Sequence, residues 1–301
     1  MRIVISGASG LIGRALGKAL SGAGNEVTIL SRKSAAASSA HSVPWNPYAS
    51  DNELACDPRL LDGQEAFIHL SGESVAGGRW TEARKKLLRE SRVRSTGNLV
   101  RLLAQIKPAP RTFVCASAIG YYGDRAEEVL TEDSAPGTGF LPDLCQEWER
   151  SAQVAKSLGV RVVHLRFGIV LSSEGGALGK MLPIFRLGVA GKLGSGKQYM
   201  SWIAMPDAVQ AILHILKTDR LQGPVNITAP RPVTNTEFTK TLGRVLHRPA
   251  ILPAPAFGLR LVLGEMADAL LASTRAVPRR LLDSQFEFKY PELQIALQSL
   301  L

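Results

Sequence analysis

Cysteine is scarce in this chain of 301 residues, which contains only three. Cys56, Cys115 and Cys145 are far apart, and no Cys-x-x-Cys or His/Cys pair has the spacing of metal ligands. A small fold held together by disulfides is therefore excluded, and no metal site is predicted. Thiols that stay reduced are the simplest account of these cysteines, which predicts a cytoplasmic protein.

Long hydrophobic runs are also missing. The most apolar late stretch, residues 251–272, is interrupted by two prolines and three charged side chains, so it does not predict a membrane span. Near the N-terminus, the three apolar residues after Arg2 lead directly to Ser6 and Gly7, which is too short for the core of a signal peptide. We therefore expect no membrane partner and no secretory signal.

Acidic residues are in the minority, with 26 Asp and Glu against 36 Lys and Arg. The resulting net charge of +10 would first suggest nucleic-acid binding. However, residues 1–150 carry 18 basic and 17 acidic groups, whereas residues 151–301 carry 18 and 9. Since no nucleic-acid motif accompanies this excess, we predict no nucleic-acid partner. A solvated basic surface and attraction of an anionic small molecule both remain open.

The first thirty residues contain the strongest local signal in the chain. A β-branched run, Arg2–Ser6, precedes a glycine turn over residues 7–13, an apolar stretch with helical spacing, and a second strand over residues 26–30. A glycine turn lets the backbone approach a pyrophosphate, and the next helix offers free N–H groups at its N-terminus. We predict dinucleotide contacts at six positions of the turn: Gly7, Ser9, Gly10, Leu11, Ile12 and Gly13. A tight turn without a ligand is the alternative.

Strands and helices alternate in the pattern that follows. Strands are predicted over residues 66–70, 112–117 and 160–165, and helices over residues 81–105 and 144–158. With 45% hydrophobic and 21% charged residues, the composition is that of an ordinary globular protein. The alternation predicts an α/β fold of the Rossmann type, in which a doubly wound parallel sheet has helices on both faces.

The pattern changes after Gly168, where glycines and prolines become frequent. We predict a nucleotide-binding domain over residues 1–168 and a smaller, interleaved C-terminal substrate lobe formed mainly by residues 169–301. A strand at Val225–Ile227 is expected to return to the main sheet.

The end of the second strand selects the cofactor in folds of this type. An Asp or Glu there would bond the ribose 2′-hydroxyl of NAD, but Ser31, Arg32 and Lys33 stand there instead. A hydroxyl and a guanidinium suit a 2′-phosphate, so the sequence favours NADP over NAD, bound through Ser31 and Arg32. A solvated charged turn is the alternative.

Six motifs resemble those of one family. They are the Gly7–Gly13 turn, Leu70-Ser-Gly-Glu73, Arg79-Trp-Thr81, Ser91-Arg92, Ser117-Ala-Ile-Gly-Tyr-Tyr-Gly123 and Gly194-Ser-Gly-Lys-Gln-Tyr-Met-Ser-Trp202. Over nearly its whole length the chain is similar to the atypical extended short-chain dehydrogenase/reductases, in particular the "epimerase family" subgroup of the NAD-dependent epimerase/dehydratase superfamily. The resemblance implies an NADP-binding Rossmann domain, a C-terminal lobe that closes over a substrate, and cofactor contacts at Leu70, Ser71 and Arg92.

The segment Leu70–Gly72 also follows an apolar strand, at the edge where open α/β sheets bind ligands. We therefore predict Leu70, Ser71 and Gly72 as cofactor contacts. Glu73, the next residue, is a candidate for the substrate side, and a turn-stabilising role is its alternative.

The chain departs from the short-chain dehydrogenases at their catalytic pair. These enzymes generally use Tyr-x-x-x-Lys, in which the lysine lowers the pKa of the tyrosine and holds the ribose. The corresponding positions here are Leu141 and Cys145. Leucine has no proton to give, and a thiol carries no positive charge, so the standard pair is missing.

Ser117, Tyr121 and Tyr122 are the remaining candidates for catalysis. Ser117 ends a strand at the place where members of the superfamily hold a substrate-orienting hydroxyl. We expect one of the two phenols that follow to be the acid/base. Aromatic packing beneath the sheet edge is the alternative.

In the second lobe, the segment Gly194–Trp202 combines glycines, one cation and two aromatic residues. We predict substrate contacts at Lys197, Tyr199 and Trp202, as in a loop that closes on a polar ligand; an ordinary hairpin turn has the same composition. Arg186 is a further candidate anion contact.

Together these features predict an NADP-dependent oxidoreductase or epimerase acting on a small, sugar-like or anionic substrate. An NADP(H)-binding sensor or interaction protein with little turnover is the alternative, because the Tyr/Lys pair is missing. Substrate identity and oligomeric state are not predicted.

Overall fold

The computed structural model describes residues 1–32 and 41–301, so Lys33 lies outside the described residues. The strands are β1 (Arg2–Ser6), β2 (Glu26–Ser31), β3 (His41–Pro44), β4 (Ala66–His69), β5 (Thr112–Ala118), β6 (Val129–Leu130), β7 (Arg161–Phe167), β8 (Ile169–Ser172), β9 (Tyr199–Met200), β10 (Trp202–Ala204), β11 (Gly223–Ile227), β12 (Val233–Thr234) and β13 (Arg275–Ala276). The α-helices are α1 (Leu11–Gly22), α2 (Glu82–Arg89), α3 (Ser95–Leu103), α4 (Phe140–Gln153), α5 (Gly176–Arg186), α6 (Met205–Lys217), α7 (Asn235–Val245), α8 (Ala256–Leu263), α9 (Met266–Leu271), α10 (Arg279–Asp283) and α11 (Leu293–Leu300).

Seven strands form one parallel sheet in the order β11-β7-β5-β4-β1-β2-β3. The chain runs from β1 outward to β3, then returns to the other side of β1 and continues through β4, β5 and β7. This reversal between β1 and β4 is the switch point at which open α/β sheets hold ligands. The predicted Rossmann-type fold is confirmed.

β1 illustrates why helices cover both faces of the sheet. Ile3 and Ile5 pack with Leu16 and Leu20 of α1 in one core, whereas Val4 packs in the core on the opposite face. Successive side chains of a strand point to opposite faces, so an uninterrupted apolar strand needs packing partners on both sides.

The two long helices differ in detail from the prediction. The helix predicted over residues 81–105 begins at Glu82, because Thr81 accepts a hydrogen bond from the backbone of Arg84 and caps it. It then consists of α2, a π-helical turn at Glu90–Arg94 and α3. The helix predicted over residues 144–158 begins four residues earlier, at Phe140, because proline is tolerated in a first helical turn.

The residues after β7 build a second, smaller core. β8 pairs with β10 in parallel and β9 pairs with β12 antiparallel, and these strands pack with α5, α7 and α11. β11 returns to the main sheet beside β7, as predicted for Val225–Ile227, while the boundary at residue 168 stays a prediction. Within the described ranges, no α-helix has the length and apolar character needed to cross a membrane.

Candidate functional site

The glycine turn lies where the carboxyl ends of β1 and β4 meet. Gly7 has a φ of +78°, and a Cβ atom on it would lie 2.7 Å from the backbone carbon of Leu70. A Cβ atom on Gly13 would lie 2.2 Å from the carbonyl oxygen of Gly7. The turn therefore requires glycine at both positions, because the backbone of one loop packs directly on the next.

The N-terminus of α1 follows this turn and is open to an anion. Gly10 caps the helix without a side-chain hydrogen bond, and no acidic residue lies in the first turn. Within the described ranges, the backbone N–H groups of Leu11, Ile12 and Gly13 donate to no backbone carbonyl outside the helix. Unpaired N–H groups at a helix end that follows a glycine-rich turn fit the pyrophosphate of a dinucleotide.

Ser31 ends β2, and Arg32 follows it with an exposed side chain. Because β2 is parallel to β1, its carboxyl end lies at the same edge of the sheet as the glycine turn. A positive charge stands here in place of the carboxylate that binds a ribose diol.

The loop after β4 is held by Arg92 from the π-helical turn. Arg92 donates from Nη2 to the carbonyl oxygen of Glu73 at 2.8 Å, and its guanidinium lies over the Trp148 ring at 5.1 Å. A Cβ atom on Gly72 would lie 3.4 Å from the Arg92 Cζ. Burial lowers the pKa of Arg92. Arg92 thus holds the backbone of the predicted loop of cofactor contacts, and its own contact with the cofactor stays a prediction.

Glu73 turns from this loop toward a second arginine. Its carboxylate lies 3.7 Å from Arg84 Nη1, and its backbone N–H donates to the Ser91 hydroxyl at 3.1 Å. Arg84 in turn donates to the carbonyl oxygen of Ser74. These contacts fix the loop, and they leave the carboxylate of Glu73 partly exposed.

A buried ion pair lies directly behind the end of β5. Ser117 donates its hydroxyl proton to Glu149 Oε1 at 2.7 Å. The same carboxylate accepts two hydrogen bonds from Arg166, Nε–Oε1 at 2.8 Å and Nη2–Oε2 at 2.9 Å. The side chains of Arg166 and Glu149 are only 3% and 11% exposed, so the pair is formed in the protein interior.

Arg166 also contacts both candidate tyrosines. Its Cζ lies 3.5 Å from the centroid of the Tyr121 ring, and its Nη1 donates to the Tyr122 hydroxyl at 3.0 Å. The Tyr122 hydroxyl donates onward to Asn226 Oδ1 at 2.8 Å. The Arg166 guanidinium therefore connects β5 and β11 with the short helical turn Ile119–Tyr122, which we call the tyrosine turn.

The two tyrosines differ in their accessibility to a ligand. Tyr122 is fully buried, and burial raises the pKa of its phenol to about 12. Tyr121 is partly exposed, and its hydroxyl has no hydrogen-bond partner among residues 1–32 and 41–301. Of the two phenols predicted as the acid/base, the structure thus leaves Tyr121 accessible and places Tyr122 in the core.

The positions of the missing catalytic pair face the same turn. A Cβ atom on Gly120 would lie 3.5 Å from Leu141 and 3.8 Å from the Sγ of Cys145. Cys145 is buried, which raises the pKa of its thiol to about 12. Neither residue carries a proton-transfer group or a charge toward the site.

Glu149, Arg166 and Asn226 were not predicted from the sequence. A signal existed for Arg166, which is the only charged residue inside the apolar run of β7 after its first position, and a buried charge needs a partner. Glu149 follows Cys145 by one helical turn on α4. Its pairing with Ser117 could not be read from spacing, since the two residues lie on different elements.

The candidate substrate residues of the second lobe do not form one cluster. Trp202 is fully buried, and its indole N–H donates to the carbonyl oxygen of Arg231; it therefore packs in the core of the lobe and does not face a cleft in this structure. Tyr199 is half-buried beneath the Arg275 guanidinium, 4.7 Å from its ring centroid. Lys197 and Arg186 are exposed.

The interior histidines are core groups. His69 shares hydrogen bonds with Ser6 and Ser95, and burial lowers its pKa to about 3. His164 is hydrogen-bonded to Gln153. In the described part of the chain, no group of three or more side chains is arranged to hold a metal ion.

Two family models match the chain. The NAD dependent epimerase/dehydratase family matches residues 3–228, which include the whole main sheet. A domain of unknown function, DUF1731, matches residues 254–300, which form the last part of the second lobe.

Similar proteins extend over the full length of the chain. "Epimerase family protein MT2273" of Mycobacterium tuberculosis is 41% identical over 296 residues, 98% of this chain and 96% of that protein. The crystal structure of human epimerase family protein SDR39U1 with NADPH has a TM-score of 0.88 and 32% identity, covering 100% of this chain and 99% of that one. A nucleoside-diphosphate sugar epimerase from Corynebacterium glutamicum has a TM-score of 0.81 and 33% identity, covering 99% of this chain and 57% of that one.

Proposed function

Because this chain belongs to the NAD dependent epimerase/dehydratase family, we propose that it is an NADP-dependent oxidoreductase or epimerase acting on a small, sugar-like or anionic substrate. The observation that carries the proposal is the Ser117–Glu149–Arg166–Tyr121 arrangement at the end of β5. It places a hydroxyl, a free phenol and a positive charge at the end of β5, which lies next to β4 and two strands from β1 and its glycine turn.

The cofactor would be held at two places along one edge of the sheet. Gly7, Gly10 and Gly13 would face the pyrophosphate, and Arg32 with Ser31 would bind a 2′-phosphate, which selects NADP. The nicotinamide supplies hydride transfer when it is bound. The human neighbour of 32% identity contains NADPH, which supports the assignment.

Ser117 would orient the reacting oxygen of the substrate. Its own proton is donated to Glu149, so its lone pairs are available to accept a hydrogen bond from a substrate hydroxyl. Removal of hydride from the neighbouring carbon then requires a group that takes the hydroxyl proton. Tyr121 is the accessible candidate. As its ionised phenolate, it would take this proton from the hydrogen bond to Ser117 while hydride leaves the carbon, and as a neutral phenol it would return a proton in the reverse direction.

Arg166 would supply the positive charge that the lysine of the standard pair provides. Its guanidinium lies against the face of the Tyr121 ring, and its bidentate bond to Glu149 holds it there. The chain would thus keep a phenol beside a fixed cation, although it brings the cation from β7 and the phenol from the turn after β5.

The substrate side would be formed by Glu73 and by the second lobe. Tyr199 is connected to the tyrosine turn, because its backbone bonds to Ser273 and Thr274 while the Thr274 hydroxyl donates to the Gly123 carbonyl oxygen. Exposed Lys197 lies two residues before Tyr199. A cation and a carboxylate would suit a polar substrate, and the bacterial neighbour of 33% identity is named a nucleoside-diphosphate sugar epimerase.

A second candidate function is NADP(H) binding with little or no turnover, in which the protein acts as a sensor or interaction partner. The observation that favours it is the apolar surface formed by Leu141 and buried Cys145 at the positions of the standard pair. In that case the cofactor would bind and no hydride would leave it.

Cofactor titration followed by a turnover assay tests these proposals. The affinity for NADPH should exceed that for NADH by at least tenfold, and Arg32→Glu should remove this difference because a carboxylate repels the 2′-phosphate. Arg150→Glu, an exposed arginine on α4, is the matched control and should bind NADPH like the wild type. Equal affinity of the wild type for both cofactors would contradict the NADP assignment.

Oxidation of NADPH with any member of a panel of carbonyl compounds and nucleotide sugars, or exchange of label at a sugar carbon, supports an enzyme. Tight binding of NADPH without turnover of any panel member supports the sensor.

A further inference from the structure

Large exposed hydrophobic side chains are concentrated in two segments of the second lobe. In the described residues, eleven such side chains are more than half exposed, and eight of them lie within residues 184–189 and 251–262. They are Ile184, Leu187, Val189, Ile251, Leu252, Phe257, Leu261 and Val262. Single exposed apolar residues are normal on a protein surface, whereas a group of this size marks a contact site.

The two segments are adjacent in space. The backbone N–H of Leu252 donates to the carbonyl oxygen of Ala190, and Arg248 Nε donates to the carbonyl oxygen of Arg186. Leu193 and Ala254 form a parallel bridge, and α8 begins two residues after it. We call this region, residues 184–193 together with residues 248–263, the α5–α8 surface.

The helix α8 shows that this surface lacks a partner. Its sequence is Ala-Phe-Gly-Leu-Arg-Leu-Val-Leu, yet none of its residues is buried. Phe257 and Leu261 are one helical turn apart and 75% and 74% exposed. A helix with apolar residues around most of its circumference is ordinarily packed on more than one side.

The charged side chains within the α5–α8 surface are all basic, whereas Glu265 and Asp268 follow it in the chain. Residues 175–206 and 238–264 contain eight Lys and Arg and no Asp or Glu, so they account for most of the basic excess of the second half. Four of these cations, Arg186, Lys192, Lys240 and Arg248, make no ion pair with any carboxylate in the described ranges. Arg260 is different, since Asp268 pairs with it at 2.9 Å.

A cavity of about 230 Å³ opens within this surface, next to exposed Ile251. Lys192 and Lys240 line it together with the hydroxyl-bearing Thr236 and Thr239. Two ammonium groups beside a small hollow suit a carboxylate that is presented on a side chain.

We propose that the α5–α8 surface docks an acidic, amphipathic segment of a partner protein. Apolar side chains of the segment would cover Leu187, Ile251 and Phe257, and its carboxylates would reach Lys192 and Lys240. Charge complementarity selects this occupant over a second copy of the chain, which would bring an equally basic rim against this one. The discrete cavity favours a protein segment over the flat face of an anionic bilayer.

A designed peptide tests the proposal directly. The probe is a labelled helical 18-mer with leucine on one face and glutamate on the other, and fluorescence anisotropy measures its binding to the full chain. Leu261→Glu and the double variant Lys192→Glu/Lys240→Glu should each weaken binding at least tenfold. Both sites are exposed, so unchanged NADPH affinity and melting temperature would show that the variants remain folded.

Val154→Glu is the matched control, because Val154 is 59% exposed on the other lobe, and its binding should stay within twofold of wild type. A peptide with lysine in place of glutamate should bind at least tenfold more weakly than the probe. Three outcomes would each overturn the proposal. They are absence of peptide binding, a dimer in sedimentation that Leu261→Glu abolishes, and cosedimentation with phosphatidylglycerol vesicles that Leu261→Glu abolishes while the peptide does not bind.

Discussion

At the scale of single residues, the buried pair of Arg166 and Glu149 organises the candidate site. The two side chains satisfy each other and also hold Ser117 and both tyrosines. A buried charge that loses its partner is costly, whereas two charges replaced together by apolar groups are tolerated far better.

Removing one member of this pair should therefore destabilise the fold strongly. We expect Glu149→Gln or Arg166→Met to lower the free energy of unfolding by about 3–5 kcal/mol, as measured by urea denaturation. The double variant Arg166→Met/Glu149→Gln should recover part of that loss, because no unpaired charge remains. Additive losses in the double variant would show that the pair is not coupled.

Tyr121 and Tyr122 should respond differently to loss of their hydroxyl groups. For any substrate found in the turnover panel, Tyr121→Phe should reduce kcat at least about 100-fold, as expected for removal of a general acid/base, and leave NADPH affinity unchanged. Tyr122→Phe removes a buried hydrogen bond to Asn226 and should lower stability by about 1 kcal/mol with a small effect on kcat. If Tyr121→Phe turns over like the wild type, the assigned role is wrong.

At the scale of elements, the glycine turn and α1 form one unit with the loop after β4. Gly13→Ala would place a methyl group 2.2 Å from the Gly7 carbonyl oxygen, which would push the turn away from its position. We expect NADPH affinity, measured by fluorescence titration, to fall at least tenfold. Gly17→Ala in the same helix is the control, since nothing lies within 4 Å of its Cβ. It should bind NADPH normally and gain roughly 0.5–1 kcal/mol of stability.

The segment α2–α3 contains a helical irregularity that its hydrophobic periodicity does not predict. Its periodicity predicts one helix, and the chain is indeed helical from Glu82 to Leu103, but with a π-helical turn at Glu90–Arg94. The wider turn brings Ser91 and Arg92 against the loop of Gly72 and Glu73. The hydropathy of the side chains does not predict a π-helical turn. The additional residue of such a turn is accommodated by contacts with another element of the fold.

At the scale of the whole molecule, burial of histidine couples stability to pH. His69 remains neutral in the folded protein down to a pH of about 3, whereas in the unfolded chain it takes up a proton below a pH of about 6.5. The unfolded state therefore binds more protons in this window. Stability consequently falls as pH decreases, by about 1.4 kcal/mol per pH unit from this residue.

We expect urea denaturation between pH 6.5 and pH 5 to show this loss, and His69→Asn to reduce its slope by close to one proton. His247 is exposed and has a φ of +53°, which asparagine tolerates well. His247→Asn is thus the control and should keep the wild-type slope. An unchanged slope in His69→Asn would contradict the assignment.

The two lobes are also tied together at this scale. Glu265, after α8, pairs with Lys85 on α2, and Lys180 on α5 donates to the carbonyl oxygen of Ala76 at 2.9 Å. β11 adds a strand of the second half to the main sheet. Consequently the ends of β4, β5, β7 and β11 keep fixed positions relative to one another. The candidate site lies at these strand ends.

The α/β alternation, the glycine turn and the basic end of β2 could be predicted from the amino-acid sequence alone. These features depend on residues close together in the chain, through apolar periodicity, backbone freedom and local turn chemistry. Only the tertiary structure decided that Ser117, Glu149 and Arg166 meet, that Tyr121 is accessible while Tyr122 is buried, and that Trp202 lies in a core. Such contacts join strands and helices that are distant in sequence, and the packing of whole elements sets their distances.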